Sequence, residues 1–187
     1  AADITMANFL FTGGVDALVA PIDVNASDFT LLGSEYRDVT GQATDVILTD
    51  NNANRFKLRG WVHDGATAAG ANSAIALVGS DDVEIGDIWI DGNFAVGAID
   101  VRTTAITDLW LHDFTIRTRN AADIGLIDTI TTSTGMIETG FIRINDNAAN
   151  ITEAITGATF VVSDDIYVVN LAGEKAILIN WVASTDA

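Results

Sequence analysis

The chain has 187 residues, one proline, no cysteine and a formal net charge of −17. That length supports one substantial core and is short for two domains. The charge disfavours binding to nucleic-acid backbones and anionic membranes, no apolar run approaches the roughly 20 residues of a membrane span, and the missing cysteine leaves the redox compartment open.

From the first residue, no basic region runs into an apolar core, so no secretory leader is expected in the stretch beginning at Ala1. Residues 1–21 lack the pattern that follows and are expected to lead in to the first coil or cap it. The pattern then starts at Ile22-Asp23-Val24 and returns at Ile47, Ile75, Ile99, Ile127, Ile155 and Ile177, at spacings of 25, 28, 24, 28, 28 and 22 residues. A period in this range marks one supersecondary unit per repeat, stacked as a solenoid. Residues 22–183 are therefore expected to form coils, about seven of them, in a single all-β domain.

A second phrase follows each first one. Phe29 to Ser34 is an early example; Phe56 to Gly65 and Val83 to Gly92 follow, 27 residues apart and both closing on Asp-Gly. Between these last two, Ala66 to Ala74 is small and polar and reads as a loop. Later examples are Ile106 to Asp113, Ile142 to Asp146 and Asp165 to Asn170. Apolar residues alternate with polar or variable ones, which is the period of a strand with one buried face. Ile75, Leu77, Ile85, Ile88, Ile90, Ile99, Val101, Leu109 and Leu111 are expected in the core. An open solenoid exposes strand edges, so the last strand, Ala176 to Val182, is expected to need a neighbour or the tail as cover.

The phrases Ala26 to Ser34, Ser80 to Ile85 and Asp87 to Gly92 resemble those of the right-handed parallel β-helix proteins of the pectate-lyase-like superfamily, over roughly Ile22 to Ala183. The resemblance implies a right-handed parallel β-helix. It also implies one of two callings, since the superfamily holds polysaccharide lyases and hydrolases as well as phage tailspikes, fibres and other virion proteins, many of them homotrimers. The likeness is greatest to the virus and phage members. No catalytic signature of the enzymes carries over residue by residue.

Stacking the second phrases with Ile88, Leu109, Ile142 and Ile166 inward at one level places Trp89, Trp110, Arg143 and Tyr167 in one outward column. Asp87, Asp108, Phe141 and Asp165 fall in the next, and Val62 aligns with Trp89 unless a bulge substitutes Trp61. Outward aromatics on neighbouring strands call for cover: another subunit, a sugar, or the chain itself. Subunit contact ranks first, so Trp89, Trp110, Arg143 and Tyr167 are the candidate interface or glycan-binding residues. The pairs Asp87 with Asp108 and Asp100 with Asp128 would put two carboxylates one coil apart, near the separation used by retaining glycosidases. Recurrence of Asp at turns explains them better than catalysis does. His63 and His112 follow similar phrases and read as surface-turn residues. Asn93, Asn145 and Asn170 lie near phrase ends, where stacked asparagines bond to one another. Asp81, Asp82 and Glu84 lack calcium-loop spacing, and Thr12 to Val15 does not match a phosphate-binding loop. No metal or cofactor is expected.

The leading expectation is a non-catalytic structural or attachment component of a virus or phage particle, a homotrimer in contact with other virion proteins or a surface glycan. It would reside in the virion or outside the cell, without nucleic acid and without membrane insertion. The alternatives are a carbohydrate-active enzyme (lyase or hydrolase) or sugar-binding β-helix, and a cell-surface adhesin repeat.

Overall fold

A computed structural model describes residues 3–12, 20–37, 45–65, 72–119, 124–128, 130, 132–143, 155–156, 159–162, 165–169, 175–176 and 179–180. In chain order the strands are β1 (Ile4–Ala7), β2 (Leu10–Thr12), β3 (Ile22–Val24), β4 (Phe29–Leu32), β5 (Glu35–Arg37), β6 (Ile47–Thr49) and β7 (Lys57–Arg59). Then come β8 (Val62–Asp64), β9 (Ile75–Leu77), β10 (Asp81–Gly92), β11 (Gly97–Val101), β12 (Thr107–Thr118) and β13 (Ile124–Asp128). The last six are β14 (Thr134–Arg143), β15 (Ile155–Thr156), β16 (Thr159–Val162), β17 (Ile166–Val169), β18 (Lys175–Ala176) and β19 (Ile179–Asn180).

The described residues are all-β, wound as a parallel solenoid between two sheets. The isoleucine phrases build the second sheet, in the order β19-β15-β13-β11-β9-β6-β3. Ile22, Ile47, Ile75 and Ile99 stand in register, as the phrases suggest. The next step does not follow them: Ile99 faces Leu126 instead of Ile127, and Leu126 faces Ile155. The second phrases build the first sheet, where the long strands β10, β12 and β14 lie side by side.

The solenoid makes about four turns, not seven. A recurring phrase counts strands, whereas a turn also needs its partners in the first sheet. At the far end those partners thin out: β15 and β19 are two residues long, and β17 meets β18 antiparallel. The lead-in is itself part of the sheet. Its strands β1 and β2 pair with β4 and β5, which shields those edges but leaves Ile4, Phe9 and Leu10 exposed. Of the expected last strand, only Ala176, Ile179 and Asn180 lie among the described residues. So do only residues 72–74 of the expected Ala66 to Ala74 loop.

Two ladders of left-handed backbone set the coil's corners. Asp28, Arg55, Asp82 and Asp108 form the first, with φ between 55° and 61°. Asn8, Gly33, Gly60, Asp87, Asp113 and Thr139 form the second, where β10, β12 and β14 bend. Asp, Asn and Gly tolerate this conformation best, which is why they punctuate the phrases. Gly60 has a second reason to be glycine, since a Cβ there would crowd the Gly33 backbone at 3.3 Å. Side chains reinforce another corner, where the Asn52 amide donates to Asn25 Oδ1 at 2.9 Å. Of the asparagines expected in such a ladder, Asn145 and Asn170 lie outside the described residues.

All nine residues expected in the core are buried there. Each buried aliphatic contributes about 1.5–3 kcal/mol from lost water contact. Sizes compensate along the columns. Ile88, Phe114, Gly140 and Ile166 share one level, and a Cβ on Gly140 would lie 2.1 Å from the Phe114 ring. Gly140→Ala is expected to lower the unfolding free energy by about 1–3 kcal/mol. Adding Phe114→Leu should recover part of that loss in urea titrations. Independent, additive losses would contradict this packing.

Candidate functional site

The long parallel strands place two outward columns on the first sheet, one on each side of the second corner. Before the bend, Lys57, Glu84, Trp110, Met136 and Val161 stand in register. After it, Val62, Trp89, Thr115, Phe141 and Tyr167 do so. Val62 thus faces Trp89 without a bulge, and Trp61 is buried in the core.

The four expected interface residues are therefore divided. Trp89 and Tyr167 share the column after the bend, with Thr115 and Phe141 between them. Trp110 lies in the column before it. Arg143 stands two residues beyond Phe141, opposite Arg117. The reason is the inward register. Ile88, Leu109, Ile142 and Ile166 are all buried but occupy three levels: Leu109 faces Val83, Ile142 faces Ile116, and only Ile88 and Ile166 share one. The signal that sets the correct level is the spacing of Gly33, Gly60, Asp87 and Asp113, the residues that take the left-handed corner.

Neither proposed carboxylate pair shares a register level. Asp87 belongs to the second corner and Asp108 to the first. Asp100 faces Ala76 and Ile127, while Asp128 faces Val101. Asp100 does not point outward: it is buried and accepts from Arg102 at 3.1 Å. Arg102 also bonds to the buried Asp45, so one guanidinium ties two carboxylates into the fold.

An open groove of about 380 Å³ lies before the bend, lined by Arg55, Lys57, Asp82, Val83, Glu84, Asp108 and Trp110. Three coils build it from two columns, with Arg55, Asp82 and Asp108 from the corner beside Lys57, Glu84 and Trp110 from the sheet. Glu84 is its electrostatic centre. Lys57 Nζ approaches to 3.1 Å, Arg59 Nε donates at 2.7 Å, and the His112 ring lies 3.8 Å away. Burial pulls this carboxyl's pKa upward, but the hydrogen bonds from Arg59 and Lys57 outweigh it and hold it below the usual range. Arg55 caps the groove by a two-point contact with Asp28 at 2.5 and 2.6 Å, whose hydrogen bond lowers the Asp28 pKa. Trp110 stacks on His112 at 4.2 Å and donates to Glu138 at 3.0 Å, so a fixed indole forms one wall.

Neither histidine is a surface-turn residue. His112 is covered by the Trp110 ring and fills the space above Gly86, where a Cβ would lie 2.3 Å from its ring. His63 is an inward residue of β8, between Tyr36 and Ile90 in register. It stacks on Tyr36 at 5.2 Å and meets Phe94 at 5.4 Å. Desolvation pushes its pKa down to about 3. The strand period places His63 inward, since Trp61 and His63 alternate with the outward Val62.

Among the described residues, no group of three His, Asp or Glu side chains is placed to hold a metal ion. No helix among them is long and apolar enough to cross a membrane. No known protein family, curated protein or solved structure matches this chain.

Proposed function

We propose that this chain is a non-catalytic structural or attachment component of a virus or phage particle. Copies of it associate as a homotrimer through the outer face of the first sheet, in the virion or outside the cell. The observation that carries the reading is the run of large apolar side chains on that face. Trp89, Phe141 and Tyr167 are 37 %, 38 % and 59 % exposed, and Trp110, Met136 and Val161 are exposed across the bend. Exposed aromatics gathered on one face of a chain of net charge −17 favour a protein contact, because Trp, Tyr and Met are typical anchors at interfaces. The number three and the particle setting rest on the resemblance to right-handed β-helix virion proteins. The separation of Asp87 from Asp108 weighs against a glycosidase-like carboxylate pair.

Light scattering tests the assembly. Burying each aromatic contributes about 1.5–3 kcal/mol, so Trp89→Ala with Tyr167→Ala should dissociate a modest interface while circular dichroism stays unchanged. An unaltered mass would refute the contact.

The groove beside Trp110 favours carbohydrate binding as the second reading. A fixed indole offers a flat face for a sugar ring, and Asp82 and Asp108 offer acceptors for its hydroxyls. Trp110→Ala would then abolish binding in a glycan screen and leave the oligomer intact. An adhesin repeat would share the same face with a host surface in place of a second copy.

A further inference from the structure

The exposed face after the bend is electrostatically two-sided. Its column Trp89, Thr115, Phe141 and Tyr167 runs along the solenoid axis, one residue per strand. On the bend side, two residues earlier along the chain, stand the exposed carboxylates Asp87, Asp113, which meets His112 Nδ1 at 2.9 Å, and Asp165. On the far side, two residues later, stand the buried Asp91 and then Arg117 and Arg143, all in register. Arg117 is 47 % exposed and reaches Asp91 only at 3.5 Å, because Arg119 already holds that buried carboxylate. Arg143 has no ion-pair partner among the described residues. An apolar strip is thus bordered by an acidic edge and a basic edge, on a chain whose net charge of −17 otherwise opposes self-association.

This arrangement has a direction. Rotating one copy onto the next about an axis parallel to the solenoid brings the bend edge of one face against the far edge of the other. Rotation about an axis that reverses the solenoid brings bend edge to bend edge, and acid meets acid. We infer that copies of this chain associate side by side with their solenoid axes parallel, the Asp87–Asp113–Asp165 edge of one copy meeting the Arg117–Arg143 edge of its neighbour across the aromatic strip. This rests on the assembly reading above and adds its polarity and its specificity. The aromatic strip supplies the attraction, and the two edges reject the antiparallel alternative.

Charge reversal tests it on the full chain, with sedimentation reading association and circular dichroism reading the fold. Both substituted side chains lie on the outer face, so the coil should survive. Arg143→Glu alone, and Asp165→Lys alone, should each weaken association about tenfold at low salt. The double reversal should restore it, since attraction returns with exchanged signs. Added salt should weaken the wild type and flatten the differences. Single reversals that leave association unchanged or strengthen it, or a double reversal no better than the singles, would overturn the parallel arrangement. If Trp89→Ala with Tyr167→Ala still dissociates the protein in that case, the assembly reading stands and only its polarity falls. A wild type that stays monomeric at every concentration, or that uses this face to bind a glycan, overturns both.

Discussion

Ile88→Asp should unfold the middle of the solenoid. Ile88 is 3 % exposed and lies level with Phe114, on the strand that pairs with β8 and β12. A carboxylate there has neither water nor a cation within the core, and an unpaired buried charge is among the few single changes that cost about 4–5 kcal/mol or more. Ile88→Val, which removes one methylene, should cost only about 0.5–1.5 kcal/mol. Because each coil leans only on its neighbours, the damage should be regional before it is global. Hydrogen exchange should show protection lost first in Asp81–Gly92 and Thr107–Thr118. An Ile88→Asp protein with wild-type exchange and wild-type urea midpoint would mean that this side chain does not face the core.

The inward residues were legible in the sequence because a half-buried strand alternates, and alternation survives errors of level. Ile85, Leu109 and Leu111 needed only the period of two to be placed inside. What alternation does not carry is the register between strands twenty-odd residues apart. Trp89 and Trp110 look equivalent in their phrases, each following Asp and one residue, yet they sit on opposite sides of a bend. The left-handed corners carry the missing information. Asp87 and Asp113 are 26 residues apart and share a level, whereas Asp87 and Asp108 are 21 apart and do not. The groove was hidden for a related reason. Arg55, Lys57 and Arg59 are three of only nine basic residues, and their clustering at the first corner and along β7 becomes informative once Glu84 is known to lie opposite Lys57. The phrase of His63 ends in Asp-Gly, which suggests a turn, while its own position in the alternation points inward.

The burial of His63 should make the fold acid-sensitive in a defined window. Its ring is 1 % exposed between Tyr36 and Phe94, and its Nδ1 has no hydrogen-bond partner among the described residues. Desolvation lowers its pKa from 6.5 in the unfolded chain to about 3 in the fold. Above the higher value the ring is neutral in both states and contributes no pH dependence. As the pH falls below it, the unfolded chain binds a proton that the folded chain refuses, so the unfolded state gains and stability drops until the pH reaches the lower value. One titrating group gives at most about 1.4 kcal/mol per pH unit, hence a loss of about 2 kcal/mol between about pH 7 and pH 5. The lowered carboxyls of Glu84 and Asp28 act elsewhere, because their stabilisation fades only below their ordinary values of 4.5 and 3.8. His63→Phe keeps a ring between Tyr36 and Phe94 and removes the titration. Its unfolding free energy should lack this component of the slope from about pH 7 to pH 5. Parallel slopes for the two proteins, or a His63 resonance titrating near 6.5 in the native state, would show that the ring is open to water and not part of the core.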